Sequence, residues 1–153
     1  MPNYKGHLLG GAAFYILLLA GFSLYYYPLS TVVPWFLATL AGALFPDIDI
    51  KSKGQQFFYK LFFVAIALCA LYKAFMLAIF LSLFAFLPLL CKHRGIFHNI
   101  WFLLLLVVGF SELLIFLAPT YRLIIIYNSF FFMLGIISHL WLDLGLKRML
   151  RMK

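Results

Sequence analysis

Residues 93–117 read HRGIFHNIWFLLLLVVGFSELLIFL, two imidazoles and a guanidinium packed into six residues at the lip of a long run of hydrocarbon. At about 1.5 Å per residue, the apolar stretch from about Ile96 to Leu117 is long enough to cross about 30 Å of bilayer core as a helix. That reading makes the chain a helical membrane protein. It also makes His93, Arg94 and His98 expensive, because a polar group beside hydrocarbon must find a partner or stay in water. Packing does not explain three of them together, so they read as a site.

The composition agrees. Of 153 residues, 67% are hydrophobic and 10% charged, whereas soluble domains carry about a quarter charged residues. The formal charge of +8 does not indicate nucleic acid, since the basic residues sit at the ends of apolar runs, where lysine and arginine set membrane orientation. Cys69 and Cys91 show no paired-ligand spacing, which argues against a zinc knuckle or a disulfide framework. Lys5 followed by Leu8 to Leu19 resembles a secretory signal, but no small-x-small cleavage site followed by a soluble domain appears, so this segment reads as a retained first helix. Residues 1–153 are expected to form a single integral membrane domain without repeats.

The spans can be placed outward from that stretch. Helix one is expected from about Gly6 to Tyr26, ending at the interfacial trio Tyr25, Tyr26 and Tyr27. Helix two should start around Ser30 to Pro34, with a serine cap, and run to Phe45. After a polar loop, Phe57 to Tyr72 and Ala74 to Leu90 are each near the lower limit for a crossing, and form either a two-crossing hairpin or a re-entrant unit. Helix five is stopped by Pro119, and helix six runs from about Tyr121 to Leu146. The expected fold is an all-α polytopic membrane helical bundle of about six transmembrane or partly spanning helices. This layout puts ten basic residues at one end and only Lys73 and Arg122 at the other, so both termini should be cytoplasmic, N-in and C-in.

The chain has four histidines and four acids, and all but Glu112 fall in four short clusters: His7, Asp47 with Asp49, His93 with His98, and His139 with Asp143. Each cluster has a bland reading when taken alone. His139 and Asp143 are one helical turn apart and could satisfy each other; Asp47 and Asp49 could be a solvated turn; His7, His93 and His98 could be interfacial, with Arg94 reaching to headgroups. Two observations weigh against the bland readings. The aspartates follow a helix C-terminus, the wrong end of the macrodipole, and a cation would remove that conflict. The span layout also brings all four clusters to one end. Neutral histidines and three aspartates without a thiolate suit one or two divalent ions, Zn²⁺ first, with Mn²⁺ or another divalent ion as alternatives. Glu112, about 21 Å up its helix from His98, is given no catalytic role.

Gly6-His7-Leu8-Leu9-Gly10, Pro46-Asp47-Ile48-Asp49, His93-Arg94-Gly95-Ile96-Phe97-His98 and Ser138-His139-x-x-x-Asp143 together resemble the four motifs of the YdjM-like family of bacterial and archaeal inner-membrane proteins. The resemblance implies a metal-dependent hydrolase and covers nearly the whole chain, with residues 57–90 looking like an inserted helical hairpin. The family pattern H-R-G-x-T-H-S differs here in having Phe97 and Asn99 at the Thr and Ser places. More distantly, the order of His and Asp residues is similar to zinc-dependent phospholipase C, which sets only the reaction class.

On this reading His7, Asp47, Asp49, His93, His98, His139 and Asp143 hold the metal. A water acidified by the ion attacks phosphorus or another ester centre, Asp49 is the candidate proton acceptor, and Arg94 stabilises the developing negative charge. The expected partner is a membrane lipid or lipid-linked phosphate, because the donors lie at headgroup depth and Lys51, Lys53, Lys92 and Arg94 surround them with positive charge. Two other classes compete: a metal or ion transporter, which would tend to coordinate near the midplane on broken helices, and a lipid-binding scaffold with a structural metal closed by four protein ligands. The pattern specifies no oligomeric state.

Overall fold

The computed structural model describes residues 3–22, 26–90 and 96–151, with the backbone alone for 147, 148, 150 and 151. It contains six α-helices and, among the described residues, no strand: α1 Tyr4–Gly21, α2 Leu29–Leu44, α3 Lys53–Leu71, α4 Phe75–Phe86, α5 Ile100–Leu117 and α6 Arg122–Arg151. Four segments are long and apolar enough to cross a membrane, Leu29–Asp49, Lys53–Leu71, Ile100–Leu117 and Pro119–Leu146, while Phe75–Leu90 is apolar but shorter. The all-helical membrane bundle expected from the sequence is therefore what forms.

Helices α1, α2 and α6 make the tightest unit, and small residues are the reason. A Cβ on Gly42 of α2 would overlap the carbonyl oxygen of Phe132, and one on Gly135 of α6 would overlap that of Thr39. The two backbones thus cross in direct contact, the close approach that glycine permits between helices in lipid. Gly11 of α1 completes the unit, since a Cβ there would lie 2.9 Å from that of Ala43. Further along, Tyr15, Trp35 and Phe131 form a buried aromatic cluster, with Trp35 and Phe131 stacked at 4.8 Å and the Tyr15 hydroxyl donating to the Val32 carbonyl at 2.6 Å.

A second core lies beyond the α2–α6 crossing, where α3 and α5 join the bundle. Phe45, Ile48, Phe58, Phe97, Leu103, Val107, Ile136, Leu140 and Met149 are buried there. Met149 reaches this core because Gly145 breaks α6 with φ 69° and ψ 158°, a conformation open essentially only to glycine. Helices α3 and α4 pair with each other, held in part by the Tyr59 hydroxyl donating to the Ala85 carbonyl at 2.9 Å.

Several boundaries differ from the sequence reading. Helix α1 ends at Gly21, short of Tyr26. Residue Pro28, with no side-chain cap, precedes α2, so Ser30 lies inside the first turn and is not the cap. Helix α3 begins four residues before Phe57, because Ser52 caps it through the Gln55 amide at 2.9 Å. Helix α6 runs past Leu146 to Arg151 across its break at Gly145. Tyr25 and Cys91 lie outside the described residues.

Candidate metal centre

Pro46 starts the local geometry. Without an amide hydrogen, and with a ring that clashes one turn back, it cannot continue α2, and the chain tightens into a 3-10 turn over Phe45–Asp49. Ser52 fixes this turn, its hydroxyl donating to the Asp47 carbonyl at 2.9 Å while it also caps α3. Asp47 is thereby turned back toward α6. On α5, Asn99 accepts hydrogen bonds from the amides of Trp101 and Phe102 at 2.9 and 3.3 Å. Asn99 thus caps the helix. His98 is the last residue of the preceding 3-10 turn and is buried, as is Phe97, which meets Phe45 edge-on across 6.0 Å. Phe97 is a core position.

Four helix ends converge. His7 comes from the first turns of α1, Asp47 from the turn after α2, His98 from the entry to α5, and His139 and Asp143 from α6. His7 and His139 stack with ring centres 3.8 Å apart and planes at 16°, a consequence of the α1–α2–α6 crossing one turn away at Gly11 and Gly135. His98 meets His139 edge-on at 5.8 Å.

Five side chains aim their donor atoms into one volume. Asp143 Oδ1 is 3.5 Å from His7 Nε2, and its Oδ2 is 3.9 Å from His98 Nε2 and 3.7 Å from His139 Nε2. Asp47 Oδ1 is 3.8 Å from His98 Nε2 and 3.6 Å from His139 Nε2. Two overlapping donor sets result, His7, His139 and Asp143, and Asp47, His98 and His139, each with its atoms within 4.8 Å of one another. His139 belongs to both. The carboxylate of Asp143 faces two sides, one oxygen toward His7 and the other toward His98 and His139. The imidazole side chains and Asp143 are at most 3% exposed, while Asp47 is 20% exposed, so the site opens on the Asp47 side.

A backbone carbonyl orients His139. Its Nδ1 lies 2.8 Å from the Ala43 carbonyl oxygen, which can only accept, so Nδ1 carries a hydrogen and Nε2 is the ring atom left to face the carboxylates. Nε2 faces oxygens of Asp47 and Asp143 at 3.6 and 3.7 Å, beyond hydrogen-bond range. Carboxylates gathered around buried imidazoles call for positive charge beside them, either a proton on a ring or a cation among the donors. Zinc bonded to histidine nitrogen and carboxylate oxygen at about 2.0–2.1 Å in a tetrahedron separates its ligand atoms by about 3.3 Å. The His–Asp separations here are 3.5–3.9 Å and each donor set lies within 4.8 Å, so these three imidazoles and two carboxylates are the residues that could hold a divalent ion. The Ala43 carbonyl orients His139 as an outer-shell partner orients a metal ligand.

Of the seven residues expected to hold a metal, His7, Asp47, His98, His139 and Asp143 meet. Asp49 is in neither donor set among the described residues, although its carboxylate oxygens are buried on the same turn. His93 lies outside the described residues, as does Arg94. Glu112 is on the exposed face of α5, away from the site. The Ala43 carbonyl and Ser52 were not identified from the sequence: a backbone acceptor leaves no signature, and Ser52 reads only as a helix cap.

Residues 1–149 match the model of a family described as YdjM inner membrane protein. No curated protein and no solved structure matches the chain.

Proposed function

The chain belongs to the YdjM inner membrane protein family, and we propose that it acts there as a metal-dependent hydrolase on a phosphate ester of a membrane lipid, at the cytoplasmic leaflet. The observation that carries this reading is the convergence of three buried imidazoles and two carboxylates in two overlapping donor sets. A closed structural site needs four protein ligands; five side chains in two overlapping sets, with one side open at Asp47, favour a working site.

A divalent ion held there supplies Lewis acidity, which makes water a nucleophile near neutral pH and polarises a phosphoryl oxygen. The chain supplies everything else. His139, fixed by Ala43, and Asp143, facing both donor sets, hold the centre rigid, while His7 and His98 close it from either side. Asp47 forms the mouth through which a headgroup and water enter. Asp49, on the same turn, is the proposed proton acceptor. Arg94, four residues before His98 in sequence, is the proposed partner of the charge that builds on the phosphoryl oxygens, the role to which a guanidinium is suited.

The lipid assignment rests on depth and charge. The donors all sit at helix ends, and Lys51 and Lys53 are exposed beside the Asp47 turn, where each basic residue near the surface attracts anionic headgroups by about 1 kcal/mol. Reconstituted protein is expected to release phosphate, or a phosphorylated headgroup, from a phospholipid or isoprenoid phosphate. Chelation and His98→Ala abolish this release, added zinc restores it after chelation, and Arg94→Ala lowers it by about 100-fold or more. Activity limited to water-soluble esters, or surviving exhaustive metal removal, overturns the assignment.

The cytoplasmic orientation rests on the placement of basic residues. Lys5, Lys51 and Lys53 lie at the site end, and Lys73 and Arg122 at the other. In a variant cleared of Cys69 and Cys91, a cysteine at position 73 should react with an impermeant maleimide in intact cells and one at position 53 only after lysis. The reverse pattern turns the site to the outside and removes the cytoplasmic reading.

A further inference from the structure

Between the α3–α4 hairpin and the face made by α5 and α6 runs an apolar groove of about 480 Å³, within the range of about 300–1,000 Å³ usual for ligand sites. The hairpin packs mainly on itself and on the Asp47 turn, so the two halves of the bundle stand apart higher up. Phe84 and Phe110, stacked at 5.8 Å, bridge the gap. The groove extends from Phe45 and Phe58 to Leu114 and Ile124. Along α5, from Leu106 to Leu114, this is about 12 Å of helix rise. It therefore runs parallel to the membrane normal, as lipid chains do.

Its lower end adjoins the site. Phe45 lines the groove and begins the turn that carries Asp47, and its ring contacts Phe58, Phe97 and Phe132 edge-on at 5.1, 6.0 and 5.2 Å. This aromatic collar divides the polar cluster from the hydrocarbon compartment directly above it. A headgroup at Asp47 has its own chain beside that compartment.

We propose that the groove holds one acyl chain of the phospholipid whose headgroup enters the site, a proposal that rests on the lipid-phosphate reading above. Acyl chains are the hydrocarbon available at this depth. One chain of a two-chain lipid fills the groove against the Phe84–Phe110 bridge and the second stays in the bilayer, so the occupant is a glycerophospholipid and not a single-chain polyprenyl phosphate. Such a groove selects substrate by chain as well as by headgroup, and it fixes the phosphorus against the collar.

The test uses full-length protein in vesicles of phosphatidylethanolamine and phosphatidylglycerol containing a phosphatidic acid with a diazirine at the end of one acyl chain. After irradiation, adducts at Leu114 and Ile125 in the groove should exceed those at Leu105 and Phe116, which are 73% and 82% exposed on α5, by about tenfold, the enrichment of a site favoured by about 1.4 kcal/mol. Leu106→Trp, which fills the groove, should remove the enrichment while metal content stays unchanged. Even labelling of groove and outer face overturns the proposal, as does labelling concentrated at Phe58 with none at Leu114, which reverses the chain. Better protection by unlabelled polyprenyl phosphate than by phosphatidic acid overturns the acyl assignment. Labelling needs no turnover, so a protein that fills its groove but hydrolyses nothing disproves the hydrolase and not the chain site.

Discussion

Replacement of His139 by alanine is expected to empty the metal centre and to lower lipid hydrolysis by more than about 100-fold, the upper range for loss of an outer-shell partner. His139 is the one residue common to both donor sets, and its ring is fixed by the Ala43 carbonyl. Removing it therefore costs each set a ligand and leaves Asp47 and Asp143 facing each other with less to hold them. Metal analysis of purified protein is the direct measurement, with Asp47→Asn beside it. Asp47 is the most exposed of the five, so its loss should weaken metal retention with less effect on folding. Glu112→Gln, on the exposed face of α5, should change neither metal nor activity. Full metal content in the His139→Ala protein would show that the convergent donors are a hydrogen-bonded polar cluster and not a metal centre.

The second large effect is expected from a single methyl group. In Gly135→Ala the new Cβ overlaps the Thr39 carbonyl oxygen and approaches Ala43 N to 2.6 Å and Gly42 C to 2.9 Å. All three are backbone atoms, which cannot rotate aside as a side chain would, so α2 and α6 must separate. Overpacking of this kind costs about 1–3 kcal/mol. The separation also carries His139, one turn below, away from the Ala43 carbonyl that orients it. Thermal stability in detergent and metal content should fall together. Gly21→Ala and Gly109→Ala are the controls, since nothing lies within 4 Å of a Cβ at either, and both should behave as the parent. A Gly135→Ala protein with parental melting and full metal would mean that the two helices do not cross this closely.

The two predictions divide between what can be read in the chain and what cannot. The sequence by itself determined that the protein is helical and lies in a membrane, because apolar runs longer than a soluble core needs can be satisfied in lipid only by their own backbone hydrogen bonds. It also determined which residues are chemically costly, since a histidine or aspartate at the edge of hydrocarbon stands out against so uniform a background. Spacing reached one step further in placing His139 and Asp143 on one face of α6. Helix ends were less legible: a break at Gly145 or a cap at Ser52 depends on one residue's conformation, which apolar periodicity does not encode.

Only the tertiary structure decided which of the costly residues meet. Asp47 and Asp49 are two residues apart and look equivalent in sequence, yet the turn after Pro46 brings Asp47 into a donor set with His98 and His139 and leaves Asp49 outside both sets. His7 and His139 are far apart in the chain and stack because Gly11, Gly42 and Gly135 let three backbones approach where any larger residue would hold them apart. The orientation of the His139 ring is set by a carbonyl of Ala43, a residue with no polar side chain to betray it. Hydrophobicity is a property of a segment and survives reading one residue at a time. Convergence is a property of pairs of helices, and it depends on where their backbones touch.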